Sequence, residues 1–266
     1  MRAAVCGHPI KHSLSPVLHG AAYQALGLEH TYTAVDLTES DFPAFVESLD
    51  DAWLGLSLTM PLKEVAFEVA TAVSIRAKLT GAINTLIFDE GIRADNTDIY
   101  GIEQAVRETA EDIEGPFTII GSGATARSAV VAARNLGASS ITVVARNRET
   151  ASACVSLGRE LGITSTHSSL ENAHWSESTV TINTTPSGVA DEFLQGGAST
   201  RGLLLDVIYS PWPTQLATAW ISGGGTACAG HLMLLHQAGE QVRLMTGHEA
   251  PIEAMRLALE QALAKR

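Results

Sequence analysis

The stretch Phe117-Thr118-Ile119-Ile120-Gly121-Ser122-Gly123-Ala124-Thr125-Ala126 decides the fold of this 266-residue chain. Its first four residues are strand formers, and the alanine- and valine-rich segment that follows, up to Leu136, has the composition of a helix. In this G-x-G-x-x-A pattern, the first glycine permits a tight turn and the second lets the backbone approach a pyrophosphate. Free N–H groups at a helix N-terminus favour bound phosphate. The stretch predicts dinucleotide binding, the alternative being an ordinary tight turn between strand and helix.

The next strand indicates which dinucleotide is bound. It reads Ile141-Thr142-Val143-Val144 and ends in Ala145-Arg146-Asn147-Arg148. NAD sites usually place a carboxylate at this point, whereas an arginine accommodates the additional phosphate of NADP. The segment has no carboxylate and two guanidinium groups, which can form paired hydrogen bonds to phosphate. We therefore predict NADP, the alternative being two solvated arginines at a helix entry.

Strand-like and helix-like segments alternate on both sides of this stretch, which predicts an α/β fold with mostly parallel sheets. Predicted strands are Ala3–Gly7, Thr31–Asp36, Leu54–Thr59, Phe117–Ile120, Ser140–Ala145, Thr179–Asn183, Leu203–Asp206 and Thr226–Ala229. Predicted helices are Pro16–Leu26, Asp41–Leu49, Ala124–Leu136, Glu149–Leu161, His231–Met245 and Pro251–Ala264, with another starting near Asp98. Asn84–Phe88 and Gly91–Ala94 predict a hairpin at a sheet edge. Periodicity leaves open which half of the chain the last two helices join.

Composition and charge exclude several classes of protein. The net charge of −12 argues against a nucleic-acid partner, which would require a basic face. No stretch approaches the roughly 18 to 20 apolar residues needed to cross a bilayer, and His8 and Lys11 interrupt any signal-peptide pattern, so we expect a cytoplasmic protein with no membrane partner. The three cysteines are scattered and are expected to be buried fillers. The histidines lack a metal-binding spacing, so no metal is expected.

Polar clusters follow several predicted strands in the first hundred residues. Ser13-Leu14-Ser15-Pro16 precedes a helix, so its hydroxyl groups could cap that helix or hold a carboxylate. Lys63 follows an apolar strand, at the kind of strand end where ligands of open α/β sheets gather. Asn84-Thr85 and Asn96-Thr97-Asp98 supply short polar groups in two more loops. Taken singly, a loop lysine is usually a solvated charge.

These clusters occur in an order that resembles the shikimate dehydrogenase family, from Gly7 to the final helices. The motifs that carry the resemblance are His8-Pro9-Ile10-Lys11-His12-Ser13-Leu14-Ser15-Pro16-Val17-Leu18-His19, Gly55-Leu56-Ser57-Leu58-Thr59-Met60-Pro61-Leu62-Lys63, Gly81-Ala82-Ile83-Asn84-Thr85, Asp95-Asn96-Thr97-Asp98, Gly121-Ser122-Gly123-Ala124-Thr125-Ala126, Asn183-Thr184-Thr185-Pro186-Ser187-Gly188, Asp206-Val207-Ile208-Tyr209 and Gly230-His231-Leu232-Met233-Leu234-Leu235-His236-Gln237. The sequence departs from the family pattern at Gly20, where many members have asparagine, and at Ala124, which replaces a common glycine.

The resemblance implies a role for each matching position. Lys63 and Asp98 would be the catalytic pair, and the substrate would contact Ser13, Ser15, Thr59, Lys63, Asn84, Asp98, Tyr209 and Gln237. NADP would contact Gly121, Ser122, Gly123, Ala124, Thr125, Ala126, Ala145, Arg146, Asn147, Thr184, Val207 and Gly230. It also implies a substrate-binding domain of residues 1–101 and 237–266, to which the C-terminal helices return, and a Rossmann-type NADP domain of residues 102–236.

The activity implied by the resemblance is the reversible NADPH-dependent reduction of 3-dehydroshikimate to shikimate, a step in chorismate and aromatic amino-acid biosynthesis. Within the same family, the alternative is a quinate/shikimate dehydrogenase that prefers NAD. A second alternative is a catalytically idle NADP-binding regulator, which would need neither Lys63 nor Asp98. The oligomeric state is expected to be a monomer or a homodimer.

Overall fold

The computed structural model describes residues 1–173, 177–191 and 200–266, and the elements named below lie in that part of the chain. The chain divides into two compact units. The first unit comprises Met1–Gly101 and Leu234–Arg266, and the second comprises Ile102–Met233.

The first unit contains a six-stranded mixed sheet in the order β2-β1-β3-β5-β6-β4. Its strands are β1 (Arg2–Gly7), β2 (Thr31–Asp36), β3 (Trp53–Leu58), β4 (Ala72–Val73), β5 (Thr85–Asp89) and β6 (Gly91–Asp95). β1 pairs in parallel with β2 and β3, whereas β5 runs antiparallel to β3 and β6. β1 is buried on both faces along almost its whole length, which explains why its residues are continuously small and apolar rather than alternating.

The predicted hairpin is β5-β6, but its position at the edge of the sheet was wrong. The two-residue strand β4 lies outside it and pairs in parallel with β6, Ala72 opposite Arg93 and Val73 opposite Ala94. The Thr71 and Ser74 amides flank this pairing and donate to the carbonyls of Ile92 and Ala94. A two-residue strand has no hydrophobic period of its own, so only its neighbours reveal it.

The helices of the first unit cover this sheet and include the end of the chain. They are α1 (Ser15–Ala25), α2 (Phe42–Glu47), α3 (Ile75–Thr80) and α9 (Ile252–Leu263), with a 3₁₀ turn at Val65–Glu68. α4 (Asp98–Thr109) begins in the first unit, and α8 (Gly230–Thr246) ends in it. α9 packs against α1. The C-terminal helices therefore return to the N-terminal part of the chain, as the family resemblance implied.

The second unit contains a six-stranded sheet in which every pair is parallel, in the order β12-β11-β10-β7-β8-β9. Its strands are β7 (Gly115–Ile120), β8 (Ala138–Val144), β9 (Thr164–Ser168), β10 (Val180–Asn183), β11 (Leu203–Asp206) and β12 (Thr226–Ala229). Its helices include α5 (Ala124–Asn135), α6 (Arg148–Glu160) and α7 (Gln215–Ser222), with a 3₁₀ turn at Leu170–Asn172. This is the doubly wound order of a Rossmann domain, so the predicted fold class is confirmed.

The remaining expectations about burial and membrane segments concern the described part of the chain. Cys6, Cys154 and Cys228 are buried and free, as predicted, and burial raises the pKa of the Cys6 thiol to about 12. Among the described helices, none combines the length and the apolar character that crossing a bilayer requires. The described residues also contain no group of three or more His, Cys, Asp or Glu side chains that could hold a metal ion.

Candidate active site

Lys63 and Asp98 form an ion pair in the first unit. Lys63 lies a few residues beyond the C-terminal end of β3, and Asp98 is the first residue of α4. The Lys63 Nζ donates to Asp98 Oδ2 over 2.5 Å, and the two side chains are only 14% and 7% exposed. The structure therefore removes the solvated-lysine alternative, because this ammonium group has a carboxylate partner and little contact with water.

Asn84 orients the carboxylate of this pair. Its Nδ2 donates to Asp98 Oδ1 over 2.8 Å, so each Asp98 oxygen accepts from a different side chain. The Asp98 amide donates to Asn96 Oδ1 over 3.0 Å, which fixes the first residue of α4. Two donors on the two oxygens match an ionised carboxylate, which accepts hydrogen bonds and donates none. The structure thus brings Lys63, Asn84 and Asp98 into direct contact.

The loop that carries Asp98 is anchored by a second ion pair, which the sequence analysis missed. The Arg76 guanidinium binds both oxygens of the buried Asp95 at 3.1 and 2.6 Å, and it lies 3.3 Å from Glu240 on α8. Ser74 donates to the same carboxylate over 2.7 Å. Burial opposes the charge of Asp95, but Arg76 and Ser74 outweigh it and hold the pKa of that carboxyl below its usual value. No short motif marks this cluster, because Arg76, Asp95 and Glu240 come from three separate segments.

Ser13 and Ser15 lie at the start of α1, where the sequence left two roles open. The N-cap residue is Leu14, and no side chain caps the helix. Ser13 Oγ accepts from the Ser15 amide over 3.3 Å, a local turn contact that leaves the hydroxyl proton of Ser13 for another acceptor. Neither serine is therefore a helix cap, and binding of a carboxylate stays a prediction.

The other predicted substrate residues are spread over both units. Thr59 follows β3 and is half-buried, and its amide donates to the Cys6 carbonyl over 3.0 Å. Gln237 is 8% exposed on α8, where its Nε2 donates to the Leu234 carbonyl. Tyr209 belongs to the second unit and is half-buried just beyond β11. The roles of all three toward a substrate stay predictions.

The turn between β7 and α5 has the backbone shape that the glycine pattern requires. Gly121 has φ +115, and a Cβ there would lie 2.4 Å from Thr184 Oγ1, so only glycine fits. Gly123 is the N-cap of α5, with no side-chain cap and open space where its Cβ would be. A helix N-terminus with free N–H groups, and with no side chain at Gly123 to obstruct them, can bind a pyrophosphate. The residues present therefore fit a dinucleotide.

Two buried side chains fix the strand ends beside this turn, another feature that the sequence analysis missed. Asn183 Nδ2 donates to Asp206 Oδ1 over 3.0 Å, and Thr214 Oγ1 donates to Asp206 Oδ2 over 2.7 Å. Burial raises the pKa of the Asp206 carboxyl. The next residues along these strands, Thr184 and Val207, are two of the predicted cofactor residues, so the buried bridge sets their positions.

Gly230 and the end of β8 complete the predicted cofactor set. A Cβ on Gly230 would lie 2.0 Å from the Val207 carbonyl oxygen, so the start of α8 requires glycine there. At the other side of the sheet, Ala145 is buried whereas Arg146 and Asn147 are exposed. The Asn147 side chain accepts from the Glu149 amide over 2.7 Å and caps α6. Asn147 therefore has a structural role, and its contact with a cofactor stays a prediction.

Comparison with known proteins shows the family to which the chain is similar. The profile described as shikimate dehydrogenase substrate binding domain matches residues 5–86, and the profile of the shikimate 5'-dehydrogenase C-terminal domain matches residues 230–260. A curated shikimate dehydrogenase (NADP(+)) from Methanothermobacter thermautotrophicus is 32% identical, over 97% of this chain and 95% of that protein.

Solved structures give the same result. The crystal structure of Mycobacterium tuberculosis shikimate dehydrogenase is similar with a TM-score of 0.91 and 42% identity, covering 98% of this chain and 99% of that one. A shikimate 5-dehydrogenase from Thermus thermophilus, solved in complex with NADP(H) and shikimate, has a TM-score of 0.86 and 30% identity, covering 98% and 99%. Because sequence relatives and solved structures agree over nearly the whole length, this chain belongs to the shikimate dehydrogenase family.

Proposed function

We propose that this protein is an NADP-dependent shikimate dehydrogenase, which reversibly reduces 3-dehydroshikimate to shikimate in chorismate and aromatic amino-acid biosynthesis. The observation that carries the proposal is the Lys63–Asp98 ion pair with Asn84 on its second oxygen. An NADP-binding protein without catalysis would need no such pair. The names of the curated relatives and the NADP(H) and shikimate in the Thermus thermophilus structure support the same reaction.

In the reduction, Lys63 acts on the ring ketone. When bound, NADPH supplies the hydride that is added to the carbonyl carbon. Negative charge then develops on the carbonyl oxygen, where the Lys63 ammonium stabilises it and donates the proton that completes the alcohol. Asp98 holds the ammonium group in position through Oδ2 and accepts a hydrogen bond from the neighbouring ring hydroxyl. In the oxidation direction, Lys63 takes the alcohol proton back.

The remaining substrate contacts follow from the chemistry of a ring that carries hydroxyl groups and one carboxylate. We assign Ser13 and Ser15, with Tyr209, to the carboxylate, because hydroxyl groups donate well to an anion. Thr59, Asn84 and Gln237 are assigned to the ring hydroxyls. On the cofactor side, the pyrophosphate is assigned to Gly121–Ala126 at the start of α5. The remaining cofactor contacts are assigned to Ala145, Arg146, Asn147, Thr184, Val207 and Gly230.

Replacing Ser13 by alanine should weaken shikimate binding and leave the rate of the chemical step nearly unchanged. Loss of one hydrogen bond to a charged group is expected to raise KM for shikimate on the order of tenfold, with kcat nearly unchanged. Steady-state kinetics at saturating NADP measures both constants. Ser48→Ala, which removes an exposed hydroxyl of the same unit, serves as the control. A loss confined to kcat would contradict a carboxylate-binding role for Ser13.

Replacing Arg146 by alanine should narrow the preference for NADP over NAD. A guanidinium–phosphate contact is charge-assisted, so its loss should weaken NADP binding roughly tenfold to a hundredfold and leave NAD binding unchanged. Fluorescence titration with each dinucleotide, together with kcat/KM for each, reports the ratio. Arg134→Ala, on the exposed face at the end of α5, is the matched control. If the ratio stays the same, another residue recognises the phosphate.

One assay separates this proposal from its alternatives. Shikimate and quinate are each offered with NADP and with NAD, and reduction is followed at the nicotinamide absorbance. We expect turnover with shikimate and NADP above the other three combinations. Preference for quinate or for NAD would indicate the quinate/shikimate dehydrogenase, and no turnover with any pair would indicate the idle regulator.

The proposal includes a cytoplasmic location and a monomeric or homodimeric state. Cell fractionation tests the location. Light scattering on the purified protein measures the oligomeric state.

A further inference from the structure

Gln241 is a fully buried glutamine on α8, one helical turn beyond Gln237. Its side-chain amide makes four hydrogen bonds within the first unit. Nε2 donates to the Asn84 carbonyl and to Thr85 Oγ1, each over 3.1 Å. Oε1 accepts from Ser57 Oγ over 2.8 Å and contacts His19 Nε2 at 3.3 Å. Both protons and both lone pairs of the amide are therefore used.

The orientation of this amide follows from its partners. The Asn84 carbonyl is only an acceptor, so the atom that faces it must be the Gln241 nitrogen. The Gln241 oxygen then faces His19, which must present Nε2 as a donor, and burial lowers the pKa of His19 to about 3, so the ring is neutral. Tyr32 donates to Ser57 Oγ over 2.6 Å, because the Ser57 proton is used toward Gln241. The donor and the acceptor of every hydrogen bond named in this cluster are thus determined.

Further hydrogen bonds connect this cluster to the Lys63–Asp98 pair. Thr85 Oγ1, which accepts from Gln241, donates to Asn84 Oδ1 over 2.8 Å. The Thr97 amide donates to the same oxygen over 2.8 Å, which leaves Asn84 Nδ2 facing Asp98. Gln241 therefore holds Asn84 twice, through its backbone carbonyl and through the Thr85 hydroxyl. Asn84 in turn holds the carboxylate that pairs with Lys63.

We propose that Gln241 is a positioning residue for catalysis: it fixes the backbone and side-chain amide of Asn84, and through them the direction of the Asp98 carboxylate and the Lys63 ammonium. This inference rests on the proposed dehydrogenase function. Gln241 touches none of the reacting groups, and Lys63, Asn84 and Asp98 remain the groups that act on substrate. A displacement of reacting groups by about 1 Å can lower the rate a hundredfold, so a small shift in the position of Asn84 is expected to lower kcat.

The test compares three variants that keep side-chain volume. Gln241→Met removes all four hydrogen bonds of the amide. Thr85→Val removes only the hydroxyl that accepts from Gln241 and donates to Asn84. Tyr32→Phe is the control, because it removes a hydroxyl at the far end of the same cluster and keeps the ring stacked on His19. Each variant is assayed for kcat and KM with shikimate and NADP, for the NADP dissociation constant, and for thermal stability.

We expect Gln241→Met and Thr85→Val each to lower kcat on the order of tenfold. The NADP dissociation constant should be unchanged, and the stoichiometry of NADP binding corrects kcat for any unfolded fraction. Because both residues act through Asn84, the double variant should lose little more than the worse single variant. Tyr32→Phe should stay within about twofold of the wild type in kcat, since the Ser57–Gln241 contact survives.

Three results of these assays would overturn the inference. The first is a normal kcat in Gln241→Met or, if that variant does not fold, in Thr85→Val. The second is a double variant whose kcat falls by the product of the two single-variant factors, which would mean that the two residues act independently. The third is a loss in Tyr32→Phe as large as in Gln241→Met, which would indicate general disturbance of the core. A wild-type enzyme without turnover would instead overturn the proposed function, and the inference with it.

His19 gives a readout that is independent of activity. In the wild-type protein, the ¹⁵N resonances of its ring should report a neutral imidazole protonated on Nε2, unchanged from pH 5 to 8. In Gln241→Met the Nε2 proton has lost its acceptor, so its resonance should move. Identical His19 resonances in the two proteins would contradict the hydrogen-bond directions on which the inference depends.

Discussion

Replacing Lys63 by alanine should lower kcat for shikimate oxidation by about two to four orders of magnitude, with a much smaller change in KM. The ammonium group is paired with Asp98 in the resting protein, at a site where its side chain is only 14% exposed. Its interaction with the substrate oxygen grows as that oxygen becomes charged, so its loss affects the transition state more than the bound ground state. Steady-state kinetics in both directions, with NADP and NADPH, measures the effect.

The control for Lys63 is another lysine of the same unit. Lys78 lies exposed in the last turn of α3, and Lys78→Ala removes the same charge from a side chain that faces solvent. Its kcat should match the wild type. A Lys63→Ala enzyme with a normal kcat would remove Lys63 from catalysis. A loss seen only in KM would make it a binding residue.

Replacing Asp98 by asparagine should have the second-largest effect, since it disturbs both chemistry and stability. Asp98 accepts from Lys63 on one oxygen and from Asn84 on the other. Asparagine has one acceptor oxygen, so one of these two donors must face an NH₂ group. The Lys63 charge would then lie largely buried without a counter-charge, which costs about 3 to 5 kcal/mol of unfolding free energy. We expect kcat to fall on the order of a hundredfold.

Denaturant unfolding and kinetics separate the two effects of Asp98→Asn. Asp51→Asn, which changes an exposed carboxylate of the same unit, should alter neither the free energy of unfolding nor kcat. If Asp98→Asn were as stable as the wild type, Lys63 would not depend on Asp98 as its counter-charge. If stability fell but kcat did not, Asp98 would be structural and Lys63 would act without it.

The features predicted correctly from the sequence are those that depend on neighbouring residues. Gly121 has the positive φ of the tight turn that its place in G-x-G-x-x-A predicts, and the helix it precedes begins at Ala124. Strands β7, β10 and β11 of the Rossmann unit could be predicted from apolar runs, because strands covered on both faces lack polar alternation. The edge strand Thr164–Ser168 was missed because it is polar, and the helix Gln215–Ser222 was missed because its eight residues are too few to establish a period.

The candidate site was predicted as a set of residues but not as an arrangement. The family resemblance pointed to Lys63, Asn84 and Asp98, whereas neither spacing nor periodicity indicates that they touch. Three anchors went unrecognised: the Arg76–Asp95 pair, the Asn183–Asp206 bridge and the Gln241 amide. Each is a polar contact between separate segments of the chain, and at least one of its members is buried. A single arginine, asparagine or glutamine gives no sign of such a partner in its local sequence.

By itself, the sequence determined the turn chemistry, the alternation of strands and helices, the NADP-type strand end at Arg146 and the family. These properties depend on backbone sterics and on side-chain periodicity over a few residues. The tertiary structure alone decided that α9 packs on α1, that Lys63 meets Asp98, and that Gln241 holds Asn84. The reason is that a hydrogen bond or ion pair between distant segments exists only after the sheet and helices have brought its partners within about 3 Å, and that approach is a property of the packed fold.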